Sequence, residues 1–349
     1  MSSVVKEPEQ KRSEVQKRKN QNVHPKQRKY FTLFLLLIVI ILGTFFFYLG
    51  RIYTDAQKMT AKIYSSSNIT KVRNTQTLLK EGKPISILLM GTDTGAVGRN
   101  FKGRTDTMIV LTLNPQEKKM TIVSLPRDAL VAVTGFKQYY PSKLNSAYDY
   151  GGSGTAVKTV QNYLNIPIDF YATINMGGLE NLVNAVGGIT IKPLLTFSYD
   201  GHSFVKNKET QMDGSAALAY VRMRHSDPLG DYGRQERQRQ VLTKVALNGS
   251  KLKSLMTEKF FKEIQKQLKT DISFNDMLLL ALKYRVATHN MTSDHLQGDA
   301  DLISGISFEA VPETEKQRIT NLIRSSLNLE ESTTGDTLSN SSSIDITQK

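Results

Sequence analysis

The sequence predicts an α/β fold, a sandwich around a mixed β-sheet, in one extracytoplasmic domain carried by an N-terminal transmembrane helix. Three observations predict it. Between residues 84 and 324, short apolar runs alternate with amphipathic stretches, as strands do when interleaved with helices. The segment Phe31–Gly50 is apolar, carries no charge and is flanked by Arg28, Lys29 and Arg51. The chain has no cysteine, which excludes a disulfide framework, a thiol nucleophile, a Cys-ligated zinc and an iron–sulfur cluster.

Residues 1–29 hold nine Lys/Arg against three Glu and lack apolar periodicity. They read as a disordered basic cytoplasmic tail. The apolar stretch, within 30–51, is long enough as a helix to cross a hydrocarbon core of about 30 Å. It outruns a cleaved signal peptide's core, and no A-x-A site follows it. The basic flank precedes it, so the positive-inside rule makes this a single-pass type II protein of the cell membrane. Residues 52–83 read as a stalk and linker, helical to about residue 66 and polar beyond. A domain spans 84–324. The last stretch, 325–349, holds 13 Ser/Thr/Asn and reads as a disordered tail.

Within the domain, PISILLMG (84–91) is a buried strand ending at glycine. TMIVLTLN (107–114) and KMTIVSLP (119–126) are two more, joined by a tight turn as a hairpin. Ser153–Leu164 is amphipathic; 170–176 is a strand. Leu179, Leu182, Val183 and Val186 form a helix stripe that stops at Gly187-Gly188. A strand follows at 188–193, and LAYVRMR (218–224) reads as another. A long helix runs from Tyr232 to about Leu247, with two more near 254–268 and 273–287.

The chemistry-bearing residues sit at strand ends. The first strand runs into Asp93, and Arg104 and Asp106 precede the second. The third ends in Pro126-Arg127-Asp128. Ligands of open α/β sheets bind at the carboxyl ends of strands, so Asp93 and Arg127 are candidates. Asp106 reaches the same rim only if its strand runs antiparallel. Two carboxylates there suit a hard divalent cation such as Mg²⁺, or Mn²⁺, with phosphate oxygens completing the shell. A second cluster holds Arg222, Arg224, Arg234, Arg237 and Arg239. On the strand reading, Arg222 and Arg224 share a face and need an anion between them. Arg234 and Gln238 share a helix face, with Arg234 in the first turn, where N–H groups favour anions. Arginine's planar fork suits phosphate oxygens. Salt bridging to Asp227, Asp231 and Glu236 can absorb three of the five arginines, not all. Lys143 alone reads as a solvated lysine, and the glycines at 151–154 as a flexible helix cap. The composite is a site for pyrophosphate or phosphodiester beside a membrane, hence for a lipid-linked ligand.

These motifs, ISILLMGTDT, GRTDTMIVLTLN, VSLPRD, KLNSAYDYGG and AYVRMRHSDPLGDYGRQERQRQ, taken in order, resemble the LytR-CpsA-Psr family of cell-envelope proteins over about 85–245. The resemblance implies an α/β/α sandwich. It implies transfer of an anionic glycopolymer, such as wall teichoic acid or capsule, from an undecaprenyl-pyrophosphate carrier to peptidoglycan. By motif it assigns the metal to Asp93 and Asp106. It assigns pyrophosphate to Arg104, Arg127, Lys143, Arg222, Arg224, Arg234 and Gln238, and thereby raises the standing of Lys143. Arg127, Asp93 and Arg222 are the expected catalytic residues. Alternatives are an envelope-linked transcriptional regulator, a lipid-pyrophosphate hydrolase and a non-catalytic carrier binder. The net charge of +14 invites a nucleic-acid reading. Six of those units lie in the basic tail, however, and the arginine cluster from 222 to 239 nets only two, so no nucleic-acid partner is expected.

Overall fold

The computed structural model describes residues 51, 53–54, 57–58, 60–92, 103–224, 226–248, 265 and 267–338. The basic tail, the apolar stretch 31–50 and Asp93 lie outside the described residues. Among those described, no helix is long and apolar enough to cross a membrane. The chain divides into two units, Met1–Ala56 and Gln57–Lys349. In the first, Arg51, Tyr53 and Thr54 are helical. The second is the domain.

The domain opens with a helix that ends in the buried Ile63. Helix α1 (Thr75–Glu81) follows, its first turn capped by Asn74. The strands are β1 (Ile85–Thr92), β2 (Thr105–Asn114), β3 (Lys119–Leu125) and the short pair β4 (Leu130–Val131) and β5 (Ser142–Lys143). Helix α2 (Ser146–Leu164) bends at Gly151 and Gly152, so these glycines lie inside a helix rather than at its start. Then come β6 (Phe170–Asn175), α3 (Met176–Ala185), β7 (Ile189–Ile191), β8 (Phe197–Tyr199), β9 (His202–Phe204) and β10 (Thr210–Met212). They are followed by α4 (Gly214–Arg222), α5 (Gly230–Asn248) and β11 (Leu268–Thr270). Helix α6 (Phe274–Leu279) runs on through a π turn over Leu280–Tyr284 and a 3-10 turn over Arg285–His289. Strands β12 (Asn290–His295), β13 (Asp299–Ile303), β14 (Ile306–Ala310) and helix α7 (Glu313–Ser326) complete the domain.

The central sheet has the order β11–β6–β1–β2–β3–β12. β1 is antiparallel to β2 and parallel to β6, and β2 is antiparallel to β3. Side-chain alternation splits each strand between two cores. Leu88 and Met90 of β1, Met108 and Val110 of β2, and Val123 and Leu125 of β3 pack under α2 and α7. On the opposite face Ile85 and Ile87 pack with α1 and the 274–289 segment. Farther along that face, Ile109, Met120 and Ile122 meet Leu242 of α5. The sandwich around a mixed sheet is as the sequence predicts. A satellite core joins α3, α4 and strands β7 to β10 through Val183, Phe204, Met212 and Tyr220.

Two sequence readings are corrected. The segment 218–224 is not a strand: it ends helix α4. Asp213 caps that helix by accepting from Ala216 N, and the small Gly214, Ala216, Ala217 and Ala219 are buried in the satellite core. Alternation of Val221 and Met223 alone does not overrule a capped, alanine-rich start. The predicted tail from 325 is not free up to Leu338. Leu327 and Leu329 are buried in the main core. Gln317 Nε2 donates to Ser332 O at 2.9 Å, and Ala132 N donates to Thr337 Oγ1 at 3.0 Å. A Cβ on Gly335 would lie 1.7 Å from Asn162 O, so only glycine permits that approach. Polar composition misled because these hydroxyls and amides bond inward. Of the helix expected near 254–268, residues 254–264 and 266 lie outside the described residues, and its end is β11. The helical reading of 273–287 holds, with the irregular turns noted.

Candidate functional site

Because β2 runs antiparallel to β1, its first residues lie beside the last residues of β1: Thr105 pairs with Thr92. The condition for Asp106 to reach the rim is met. β3, antiparallel to β2, delivers Pro126-Arg127-Asp128 to the same rim. There Arg127 Nη1 donates to Asp106 Oδ1 at 2.6 Å. Arg127 Nε lies 3.5 Å from Asp128 Oδ2 and 3.9 Å from Asp231 Oδ1. Burial works against the Arg127 charge, but Asp106, Asp231 and Asp128 together outweigh it and hold its pKa above the ordinary value.

Lys143 is placed by β5, which pairs with β4 just after Asp128. Its Nζ lies 3.1 Å from Asp128 Oδ1 and above the ring of Phe308. Helix α5 brings its first turn to the other side. Arg234 Nη2 pairs with Asp231 Oδ1 at 2.6 Å and donates to Asp106 O at 3.3 Å. The guanidinium is buried, and among the described residues its Nε has no hydrogen-bond acceptor. Burial depresses its pKa, helped by the charges of Arg127 and Arg224 and opposed by Asp231 and Asp106. Arg127, Lys143 and Arg234 thus stand at one rim, interleaved with Asp106, Asp128 and Asp231.

The other predicted residues divide. Arg222, half-buried, closes α4, and Arg224 is exposed in the turn beyond. They do not share a strand face, but among the described residues no acid pairs with either. Arg104 is exposed just before β2. Gln238 is buried one turn beyond Arg234, with Oε1 unpartnered among the described residues. Below it an apolar cleft runs along the sheet, lined by Leu89, Gly91, Thr107, Ile174, Leu179, Val221 and Leu242. The remaining arginines are structural. Arg237 is fully buried and pairs with Asp227, and its Nε donates to Tyr220 O at 2.9 Å. Gly233 lets Asp227 in, since a Cβ there would lie 2.0 Å from its Oδ2. Arg239 pairs with Glu236. Internal salt bridging thus absorbs Arg234, Arg237 and Arg239.

Sequence reasoning missed Glu309. Its backbone N–H donates to Asp128 O at 2.9 Å, and its carboxylate accepts from Tyr232 Oη and from Gly298 N. Burial raises its pKa to about 7, with Asp231 and Asp128 adding to the shift against those two hydrogen bonds. No local motif marks it, because β14 reaches the rim only through the fold.

Among the described residues no three acidic or histidine side chains converge as a ready metal cage. Asp106 presents one carboxylate at the rim, and Asp93 follows Thr92 directly. A cation here would draw on Asp106 and on phosphate oxygens, the open shell that Mg²⁺ commonly keeps.

The LytR_cpsA_psr family model matches residues 46–325. An Enterococcus faecalis protein named polyisoprenyl-teichoic acid–peptidoglycan teichoic acid transferase TagU is 43% identical over 300 residues, covering 85% of this chain and 97% of its own. The crystal structure of Bacillus subtilis TagU is similar at 32% identity and a TM-score of 0.55, covering 71% of this chain and 98% of that one. The structure of TagT bound to LI-WTA is similar at 26% identity and a TM-score of 0.58, covering 76% of this chain and 96% of that one.

Proposed function

This chain belongs to the LytR-CpsA-Psr family, and on that premise we propose that it transfers a teichoic acid from a polyisoprenyl-pyrophosphate carrier to peptidoglycan. The gathering of Arg127, Arg224 and Arg234 at one rim, with Arg234 Nε buried and without an acceptor among the described residues, carries this reading. Arg222 and Arg224, which pair with no acid among the described residues, leave positive charge there for an anion. The apolar cleft below Gln238 suits the isoprenoid, and the rim suits the pyrophosphate attached to it.

In this mechanism Arg127, Arg234, Arg222, Arg224, Arg104, Lys143 and Gln238 hold the two phosphates. A muramic acid hydroxyl attacks the sugar-side phosphorus. The bond from that phosphorus to the bridging oxygen breaks, and undecaprenyl phosphate leaves. A rim carboxylate takes the hydroxyl proton. Charge grows on the bridging oxygen, where fixed guanidinium groups stabilise it without reorganising. Asp93 and Asp106 would hold Mg²⁺, which supplies Lewis-acid neutralisation of the phosphates when bound. Residues 31–50 would anchor the protein in the membrane with the domain outside.

The test is incubation of the full-length protein with lipid-pyrophosphate-linked teichoic acid and peptidoglycan. Release of undecaprenyl phosphate together with polymer bound to peptidoglycan is the expected outcome. Release with free polymer phosphate alone would identify a hydrolase instead.

A further inference from the structure

The segment 274–289 has an outer face that the proposed reaction does not use. Leu278, Leu282 and Val286 follow one another at intervals of four, and are 38%, 79% and 39% exposed. Tyr284 and Ala287 are buried beneath them. Met291 extends the exposed patch. From Phe274 to Met291 the only acid is Asp276, and it is buried in the capping box with Ser273. The exposed charges here are cationic: Lys283 and Arg285, with Lys80 of α1 beside them, its carbonyl bonded by Lys283 Nζ. The one exposed acid beside this patch, Glu81, is paired with Lys83, so a leucine this exposed amid a net excess of basic residues describes an interfacial segment suited to anionic lipid.

Two further observations fix the occupant. The first is chain reach. Ser65 N donates to Thr270 O at 2.8 Å, and Tyr64 bridges Thr270. The chain therefore enters the domain four residues before α6 begins. The apolar stretch ends at Gly50 and the buried Ile63 follows 13 residues later, a length of chain that spans at most about 45 Å whatever its conformation. The second is continuity with the carrier cleft. Leu89 lines that cleft and also packs on the core cluster that holds Leu279 and Leu280. The chain that presents Leu278 and Leu282 to solvent thus packs inward on the same cluster as a residue of the cleft wall.

We propose that the outer face of 274–289 rests on the anionic surface of the bilayer, with Leu282 inserted among the acyl chains, as the place where the carrier's isoprenoid passes between bilayer and cleft. This rests on the transferase reading and on the membrane anchor. The chain has no cysteine, so Leu282→Cys provides a single labelling position on a side chain that the core does not need.

Full-length Leu282→Cys protein, labelled with an environment-sensitive fluorophore, is placed in nanodiscs containing phosphatidylglycerol and a quencher-bearing lipid. The expected result is strong quenching, several-fold above that of a label at Lys208→Cys in the loop before β10. Adding Lys283→Glu and Arg285→Glu should abolish the difference. Equal quenching at both positions overturns the proposal. So does a blue shift that depends on protein concentration and not on lipid, which would assign the face to a second copy. In turnover, Leu282→Asp should slow transfer from a full-length carrier in the nanodisc and leave a water-soluble short-chain carrier unaffected. Equal effects on both carriers would also overturn it. If the unsubstituted protein turns over neither carrier, the transferase reading fails, while the quenching result still decides the docking.

Discussion

Replacing Arg127 by alanine separates a site residue from a structural one. The side chain is 16% exposed and its partner Asp106 24% exposed. Two unit charges about 4 Å apart attract by about 4 kcal/mol at an effective dielectric of about 20. Desolvation and solvent screening cancel most of that, leaving about 1 kcal/mol for a pair this accessible. The loss in Tm should then be only about 2–4 °C. The transition state is different, because there the guanidinium meets charge that develops on the bridging oxygen. Losing one fixed donor of this kind costs about 3–4 kcal/mol, or about 10²–10³ in turnover. Arg127→Lys keeps the charge but not the fork and should fall between. The assay is release of undecaprenyl phosphate by full-length protein in nanodiscs, with thermal denaturation alongside. Turnover by Arg127→Ala within about threefold of the unsubstituted protein would refute the assignment, given the expected loss of about 10² or more. A large fall in Tm would instead make Arg127 structural.

Arg237→Ala should destabilise by about 3–5 kcal/mol, because it strands Asp227 in the interior; urea denaturation measures it, and low expression with intact turnover of the surviving fraction is expected. Chelation of divalent cations should stop transfer without moving the Tm, and Asp106→Asn should raise the Mg²⁺ concentration needed for half-maximal turnover. Glu309 holds its proton to about pH 7 in the fold against an ordinary value of 4.5. Its contribution is therefore full below pH 4.5 and is lost as pH rises through 7, since the unfolded chain releases the proton first; Glu309→Gln should flatten that part of the Tm–pH profile. Leu329→Ala should cost about 2–5 kcal/mol as a buried leucine truncation, which differential scanning calorimetry would register; a shift of under about 1 °C would return that segment to solvent.

The sheet was legible because β1, β2, β3 and β6 each hold a short, largely apolar run bounded by turn residues. Antiparallel pairing of β2 with β3 followed from a four-residue turn, and that pairing alone brings Asp106 and Arg127 together. Motif resemblance supplied Lys143, whose partner Asp128 could not be guessed from a lone basic residue in a loop. What failed was local patterning where tertiary context decides. Val221 and Met223 alternate like a strand, yet Asp213 starts a helix there. Ser332, Thr334 and Thr337 look like a solvated tail, yet their hydroxyls or carbonyls find partners on α2, α7 and β4. Glu309 and Tyr232, 77 positions apart, were invisible because only the docking of β14 against α5 joins them.

The buried segment after α7 has a consequence for how the protein comes into being. Ser326 O accepts from Asn114 at 3.2 Å, Ser326 Oγ meets Thr121 Oγ1 at 2.9 Å, and Ala132 N reaches Thr337, separations of 212, 205 and 205 residues. Strands β1 to β3 emerge early in synthesis, yet the layer that covers one of their faces is completed only by the final stretch of the chain. Such long-range closure slows folding. The young sheet must wait, half-covered, until almost the whole polypeptide has been delivered.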